Sequence, residues 1–352
     1  MKKTAVWLAV IFMLYIAISE TETTENAVYS GIMRCINIII PSLYFMMCVS
    51  GIAIKSGIIE RISPFFDKAS KFFLGMCGEV FVIFLCSMLA GYPVGAKMLN
   101  ELYVKGQINK RQAEVYLCVC YGAGSAFIFG CVSQCGAKAG KLIIASNIIA
   151  NVITAFFLGI IFRCHSESER NHLENRIKGS MLISESVSEA GKSMFILCTM
   201  IIFFSAVTSA IEPFYSNFVE SELKINIIKC LIDISAVTEL NIYNYEFLPV
   251  VSGLVSFGGI CVIMQIRAIM SDEIRIGMFI LVRIVTGVLS SFICSIFTVI
   301  FIKSGETVIT NAEVCTAKTS ASPVASVMLM IMMLVLFLEQ EKLKKVQTAL
   351  KR

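Results

Sequence analysis

Long apolar blocks alternate with short polar connections along this chain. Asn147–Phe162 carries no charged side chain, whereas Arg163–Lys178 is densely charged. A helix needs about 20 predominantly apolar residues to cross the hydrocarbon core of a bilayer. The alternation therefore predicts an all-α, polytopic membrane protein.

The central apolar blocks form two sets of similar order, each with a span, a polar or glycine-rich half-segment, a glycine-broken span and a closing span. The blocks are Val28–Ile54, Phe72–Lys105, Gln112–Gln134, Ala139–Phe162, Lys192–Ile211, Ile225–Leu240, Phe247–Ile269 and Gly277–Ile302. Pro41 predicts a kink in the first block, because proline frees a backbone carbonyl. Asn109 and Gln112 predict a capping box before the third block.

Two further apolar segments flank these sets. Ala5–Ser19 follows two lysines and fits either an uncleaved first helix or the core of a signal peptide; we favour the helix. The acidic stretch Glu20–Asn26 is expected outside in both cases. Pro323–Leu338 predicts a last helix before the basic tail Glu341–Arg352.

The distribution of charge predicts the topology. If Phe72–Lys105 and Ile225–Leu240 are re-entrant hairpins, each set crosses three times and the second set is inverted relative to the first. The terminal helices bring the expected number of spans to eight. Most Lys and Arg residues then lie on the side of both termini, which the positive-inside rule assigns to the cytoplasm.

This topology divides the chain into five parts. They are an N-terminal helix with its outer loop (1–27), a first repeat (28–163), a cytoplasmic linker with an amphipathic lead-in (164–191), a second repeat (192–303), and an outer loop with the last helix and tail (304–352).

Composition supports the membrane prediction. The 352 residues are 57% hydrophobic and only 16% charged, with a mean hydropathy of +0.80, whereas soluble domains carry roughly 25% charged residues. The net charge of +5 gives no reason to expect a nucleic-acid partner. The lipid bilayer is the first expected partner, and a homo-oligomer is a further one.

The chain lacks the usual signs of a metal site or an enzyme. Its 14 Cys are scattered through apolar segments without a CxxC pair, and they are expected to act as small hydrophobes. The two histidines, His165 and His172, both lie in the polar linker. No Walker A, GxSxG or HExxH motif is present, so we predict no cofactor, no metal and no enzymatic activity. A transporter of this kind would be a secondary carrier or a channel.

Glycine and proline interrupt the second block. Gly91, Pro93 and Gly95 indicate a hairpin tip or a helix break, where exposed amides could hold an anionic group. Gly91 and Gly95 also form a GxxxG pair, which favours helix packing instead. Lys97 adds weight to an anion site, although a lysine here could equally snorkel to the interface.

Both glycine-broken spans contain small residues that would expose main-chain groups to a cavity. These residues are Gly122, Gly124 and Ser125, followed by Phe127, and Ser256, Gly258 and Gly259, followed by Gln265. Corresponding interruptions in two halves of a membrane protein indicate a transporter binding site. The alternative is close helix packing alone.

Three polar residues of Ile225–Leu240 are candidates for a coupling site for H⁺ or Na⁺. An intramembrane carboxylate is a functional candidate by default, and Asp233 lies deep in this block. Thr238 and Glu239 are candidates beside it. Pairing of Asp233 with Lys229, and solvation of Glu239 at the end of the segment, are the alternatives.

Two strings resemble the sporulation integral membrane protein YlbJ family, within the nucleoside-recognition (Gate) domain proteins. The first is Gly91-Tyr-Pro-Val-Gly-Ala-Lys97, followed by Glu101-Leu-Tyr and Gly106. The second is Ser256-Phe-Gly-Gly-Ile-Cys-Val-Ile-Met-Gln265, and Leu231-Ile-Asp233 lies where the family usually has an apolar pair and Glu. The chain departs from the family at Tyr121–Ser125, where an Asn-Asn-Ser-Gly-like stretch is expected, and at Ile263, where His is common.

The resemblance implies a role in endospore formation. It implies movement of dipicolinic acid, a small aromatic dicarboxylate, across the outer forespore membrane by alternating access. Half-helix amino ends, Lys97, Ser125 and Ser256 would suit the carboxylates, and Tyr92 or Phe127 could stack on the ring. A nucleoside-type carrier and a non-transporting scaffold or regulator of sporulation are the alternatives.

Overall fold

The computed structural model describes residues 21–74, 77–131, 136–162, 179–216, 221–240 and 245–301, together with Trp7, Ile11 and Tyr15. Within these ranges the chain is helical, without a strand. Five helices of the described chain are long and apolar enough to cross a membrane: Thr21–Lys55, Lys138–Phe162, Met181–Ser216, Tyr245–Ile269 and Gly277–Phe301. The prediction of an all-α membrane protein is confirmed at this level.

Eight helices make up the first half of the described chain. They are α1 Thr21–Arg34, α2 Ile40–Lys55, α3 Ile58–Leu74, α4 Gly78–Ala90, α5 Val94–Val104, α6 Lys110–Leu117, α7 Ser125–Cys131 and α8 Gly136–Phe162. A π-helical turn, Cys35–Ile39, joins α1 to α2 directly before Pro41. The proline is thus accommodated within one long helical segment, because the wider turn precedes the position where proline removes a hydrogen bond.

Five helices make up the second half. They are α9 Gly179–Ser216, α10 Glu222–Ile232, α11 Leu248–Phe257, α12 Gly259–Ile269 and α13 Gly277–Phe301. Two 3-10 turns, Ile234–Glu239 and Tyr245–Phe247, lie between α10 and α11. Helix α9 contains both the predicted lead-in Met181–Gly191 and the span predicted after it.

The helices α1 and α2 run antiparallel to α9 and pack closely against it. An added Cβ on Gly31 would lie 2.9 Å from Ser205 Oγ, and one on Gly51 would lie 3.4 Å from Ser186 Cβ. Small residues let membrane helices approach in this way. The pairing of Gly31 with Ser205 and of Gly51 with Ser186 sets the antiparallel register.

A second packed group joins α13 to α8 and α11 through hydroxyl groups. Ser252 and Ser290 lie 2.8 Å apart, and Thr154 and Thr286 lie 3.0 Å apart, all of them buried. Interhelical hydroxyl contacts of this kind stabilise helix pairs in an apolar solvent. The opposite faces of α8 and α13 expose large apolar side chains, as expected for surfaces that contact lipid: Phe156, Phe157, Ile160, Ile161, Leu281, Val285, Val288 and Phe292.

The structure corrects several predicted boundaries. The described part of the first span includes Thr21–Asn26, so most of the predicted outer loop Glu20–Asn26 is helical. The block Phe72–Lys105 contains the end of α3 and two helical arms, α4 and α5, joined at Gly91–Pro93. The predicted interruption of Gln112–Gln134 at Gly122–Ser125 is confirmed, and it is longer than predicted, because residues 118–124 separate α6 from α7. The second half-segment has one α-helical arm, α10, followed by a 3-10 turn.

The predicted capping box is confirmed. The Asn109 side chain accepts from the backbone N–H of Gln112 at 2.9 Å, and the Gln112 side chain accepts from the backbone N–H of Asn109 at 2.8 Å. The predicted terminal helices, in Ala5–Ser19 and Pro323–Leu338, lie outside the described residues apart from the three single positions, and so does the charged linker 163–178.

Replacement of Gly95 by alanine tests the close approach of α5 to the unwound segment. A Cβ at Gly95 would lie 2.1 Å from the Cys120 carbonyl oxygen. We expect Gly95→Ala to destabilise the protein by about 1–3 kcal/mol or more, since a backbone atom must move. Thermal unfolding of the purified protein in detergent measures this change.

Gly277→Ala is the matched control, because no atom lies within 4 Å of a Cβ added there. Equal midpoints for the two variants would contradict the predicted contact.

Candidate functional site

The four interruptions of the helical structure meet one another in the interior. At the first, the hairpin tip between α4 and α5, the Tyr92 amide donates to the Gly122 carbonyl at 2.7 Å. Gly91 has a φ of +86°, and an added Cβ would lie 2.6 Å from the Gly124 nitrogen. This tip therefore contacts the unwound segment between α6 and α7 through backbone atoms, and only glycine fits there.

The third interruption, the break between α11 and α12, contacts the unwound segment and also the fourth interruption, which is the end of α10. The Tyr121 hydroxyl, from the unwound segment, donates to the Phe257 carbonyl at 3.1 Å. Gly259 has a φ of +78°, and its Cβ would lie 3.1 Å from the Cys230 carbonyl at the end of α10. Backbone groups freed by a helix break inside a membrane must find protein partners. Here, groups of one break serve as partners for the freed groups of another.

A small inner cavity lies where these segments converge. Its volume is about 20 Å³, which is enough for a single water molecule. Apolar side chains from α2, α7, α9 and α12 form most of the wall. The full lining is Ile39, Leu43, Tyr92, Gly124, Phe127, Leu197, Ile201, Asp233, Ile234, Ser235, Val262 and Gln265.

Asp233 is the buried carboxylate of this cavity, with 2% of its surface exposed. It ends α10 and caps the following 3-10 turn, where it accepts from the Ser235 amide at 3.1 Å and the Ser235 hydroxyl at 2.7 Å. Ser205 of α9 lies 3.4 Å from the same carboxylate. Hydrogen bonds of this kind offset part of the cost of burying a charge.

Arg34, at the end of α1, is the counter-charge of Asp233. One guanidinium nitrogen lies 3.9 Å from the carboxylate, and another donates to Ser205 Oγ at 2.8 Å. Ser205 thus contacts both charged groups. The π-helical turn begins one residue after Arg34, so the wider turn lies next to the ion pair along the helical segment.

An outer cavity of about 420 Å³ lies on the other side of this ion pair. It is lined by polar residues of α1, α9 and α10: Glu22, Thr23, Asn26, Ser30, Arg34, Ser205, Thr208, Ser209, Glu212, Lys229 and Asp233, with Ala27 and Ala236. Asp233 lines both cavities. The Arg34–Asp233 pair therefore lies between the larger, polar outer cavity and the small, mostly apolar inner cavity.

The opposite end of the α1–α2 and α9 pair carries a cluster of charges. Lys55, at the end of α2, lies 2.7 Å from Glu189 and 3.5 Å from Glu185. Lys97 of α5 lies 3.8 Å from Glu189. These contacts join the arm of the first hairpin to α2 and α9 at the end away from the outer cavity.

The structure brings most of the predicted site residues to one place. Six of them line or abut the inner cavity: Gly91, Tyr92, Gly124, Phe127, Asp233 and Gln265. Gly122, Gly258 and Gly259 form the backbone contacts around it, and Pro93 is buried in the hairpin tip. Thr238 donates to the Ser235 carbonyl at 2.9 Å, beside the Asp233 cap.

Other predicted site residues lie elsewhere. Lys97 belongs to the charged cluster with Glu189, Ser256 contacts Arg283, and Ser125 is only partly buried, outside the cavity lining. The side chain of Glu239 is outside the described set. Lys229 pairs with Glu212 at 2.9 Å, so the contact considered for Asp233 goes to Arg34 instead.

Sequence reasoning missed Arg34, Ser205, Ser235 and Arg283. A signal existed for the two arginines, since each is a charged residue inside an apolar block. No comparable signal marks Ser205, because it acquires its role only when α9 packs beside the Asp233 turn. Ser235 contacts Asp233 locally, two residues along the chain, as part of the cap of the 3-10 turn. Within the described ranges no group of three or more His, Cys, Asp or Glu residues is placed to hold a metal ion.

Comparisons of the chain with protein-family models, with curated proteins and with solved structures gave no match.

A double-mutant cycle tests the pairing of Arg34 with Asp233. Arg34→Met leaves the carboxylate buried without its counter-charge, and we expect a loss of about 3–5 kcal/mol of stability. Arg34→Met combined with Asp233→Asn is expected to recover part of that loss, because the amide carries no charge. Thermal unfolding of the purified variants provides the measurement.

Lys229→Met is the control for this cycle, since the Lys229–Glu212 pair is more exposed. Loss of that pair is expected to cost about 0–1 kcal/mol. An Arg34→Met protein as stable as the Lys229→Met protein would show that the buried pair is not coupled.

Proposed function

We propose that this chain is a secondary membrane transport protein for a small organic anion, driven by protons through the Arg34–Asp233 pair. The observation that carries the proposal is the position of this pair. It lies at the meeting point of four interrupted segments and contacts both the outer and the inner cavity. Interrupted helices that meet near the middle of a membrane protein are typical of transporter binding sites.

The proposed architecture is the one predicted from the charge distribution. Eight spans form two inverted repeats, with the two half-segments re-entrant and both termini cytoplasmic. The order of elements supports this arrangement, because each half has a long helix, a helical arm that ends in the interior, a broken helix and a closing span. The outer cavity would then open away from the cytoplasm, and the Lys55–Glu189–Lys97 cluster would close the cytoplasmic side.

Competition for Arg34 gives the coupling mechanism. With Asp233 ionised, the guanidinium has a carboxylate partner and a substrate carboxylate must displace it. A proton that enters from the outer cavity neutralises Asp233, and Arg34 then pairs with the substrate instead. Arg34 faces one carboxylate in both states, so neither Arg34 nor Asp233 is left as an uncompensated charge in the low-dielectric interior. The Ser235 and Ser205 hydroxyls can hydrogen-bond Asp233 in either state.

Dipicolinic acid is the first substrate to test, for transport across the outer forespore membrane during sporulation. The resemblance noted above suggests it, and two features of the site suit it. Arg34 offers a planar fork that matches a carboxylate, and the rings of Tyr92 and Phe127 line the inner cavity. An aromatic dicarboxylate exceeds the 20 Å³ of that cavity, so the wall between the two cavities must open during the cycle.

A nucleoside-type carrier is the second candidate. The inner cavity favours it, because Asp233, Ser235 and Gln265 offer hydrogen-bonding groups beside the aromatic rings. Sugar hydroxyls and a base could use these groups without any net charge on the substrate.

Transport by the purified protein in liposomes is the decisive experiment. We expect saturable uptake of labelled dipicolinate that increases when the outside is acidified. Asp233→Asn is expected to abolish the stimulation by the proton gradient, since the amide cannot take up the proton. Exchange of internal for external substrate is expected to survive.

Glu212→Gln is the matched control, because it removes a carboxylate of the same outer cavity that pairs with Lys229 rather than Arg34. It should retain the response to pH. Saturable nucleoside uptake without dipicolinate flux would favour the second candidate. Absence of flux for both substrates would favour the scaffold and overturn the proposal.

A further inference from the structure

Arg283 of α13 is fully buried, with 0% of its surface exposed. No acidic side chain of the described residues lies within ion-pair distance of it. Its guanidinium instead contacts oxygen atoms of three different elements: the Cys118 carbonyl at 3.3 Å, Asn151 Oδ1 at 2.7 Å, the Ser256 carbonyl at 2.7 Å and Ser256 Oγ at 3.0 Å. A buried charge without a charged partner is costly, so this arrangement requires an explanation.

Two of these oxygens belong to the carboxyl ends of broken helices. Cys118 is the C-cap of α6, and Ser256 lies in the last turn of α11. The last carbonyls of a helix have no intrahelical partner and carry a partial negative charge. Inside a membrane that charge has no water to solvate it. Arg283 therefore lies where two negative helix ends and an amide oxygen converge.

Such a set of oxygens is the environment that a monovalent cation occupies in discontinuous membrane helices. We propose that the guanidinium of Arg283 is a tethered cation that fills this oxygen cage and holds the two broken helices together without a bound sodium or potassium ion. The cage has four oxygen atoms, and all of them point to one positive group. The inference does not depend on the identity of the transported substrate.

Arg283 also connects this cage to the inner cavity. Its guanidinium carbon lies 4.4 Å from the centre of the Tyr121 ring. Tyr121 stacks on Tyr92 with 4.8 Å between ring centroids and 17° between the planes. Tyr92 lines the cavity, so Arg283 is a positioning residue that acts on the cavity wall through two aromatic rings.

Cation-dependent stability tests the proposal on the purified full-length protein. The thermal midpoint is measured in sodium, potassium and choline chloride at equal concentration for wild type, Arg283→Ala and Arg283→Lys. We expect the wild-type midpoint to be the same in all three salts, because the cage already contains its cation. We expect Arg283→Ala to have a lower midpoint than wild type in choline. Its midpoint should rise by roughly 2–4 °C when sodium or potassium replaces choline, and this rise should saturate with ion concentration.

Two variants sharpen this experiment. Arg283→Lys retains a positive charge with hydrogen-bond donors, so its midpoint should lie above that of Arg283→Ala and be independent of the salt. Ser290→Ala, on the same helix, removes a buried hydroxyl paired with Ser252 and away from the cage. Its midpoint should fall equally in all three salts.

Three results would overturn the proposal. They are a wild-type midpoint that depends on sodium or potassium, an Arg283→Ala midpoint that does not respond to either ion, and an Arg283→Lys protein that is no more stable than Arg283→Ala. If Arg283→Ala does not fold, folding of Arg283→Lys with a salt-independent midpoint supports the tethered cation, and failure of both rejects it. Because these measurements involve no transport, they can succeed or fail separately from the proposed function.

Discussion

The need to satisfy backbone polar groups inside an apolar solvent governs this structure. Each break in a membrane helix frees carbonyl and amide groups that water cannot reach. The hairpin tip at Tyr92 donates to Gly122, and Tyr121 donates to Phe257. Gly259 lies against the end of α10. The four breaks lie together in the interior, and the cavities form around that place.

The two buried charged sites, Asp233 and Arg283, also need partners inside the protein, and they have partners of different kinds. Asp233 faces Arg34 and accepts from hydroxyls. In the proposed function a proton neutralises Asp233 and a substrate carboxylate takes its place beside Arg34. Arg283 faces neutral oxygens at the ends of two helices, which cannot leave. The first arrangement suits the exchange of partners in the proposed cycle. The second suits a fixed joint between α6, α11 and α13.

The two ends of the α1–α2 and α9 pair differ, and the proposed transport cycle would use that difference. A polar cavity of about 420 Å³ reaches the Arg34–Asp233 pair from one end. At the other end, Lys55 and Lys97 contact Glu189 and tie the first hairpin to the spans. Glu189 is partly exposed, so these ion pairs are weaker constraints than fully buried pairs. The interior contacts between breaks are mostly backbone-mediated.

The sequence by itself determined that the chain is an all-α membrane protein, because apolar length and charge spacing report directly on the bilayer. It also marked the breaks, since glycine and proline at Gly91–Pro93 and Gly258–Gly259 act through local backbone geometry, and it marked Asp233 through its burial in an apolar block. Only the tertiary structure decided that Asp233 pairs with Arg34 rather than Lys229, and that Lys97 lies away from the cavity. Those partners come from helices distant in sequence, and their contacts depend on how α1, α9 and the hairpins pack, which local pattern does not encode.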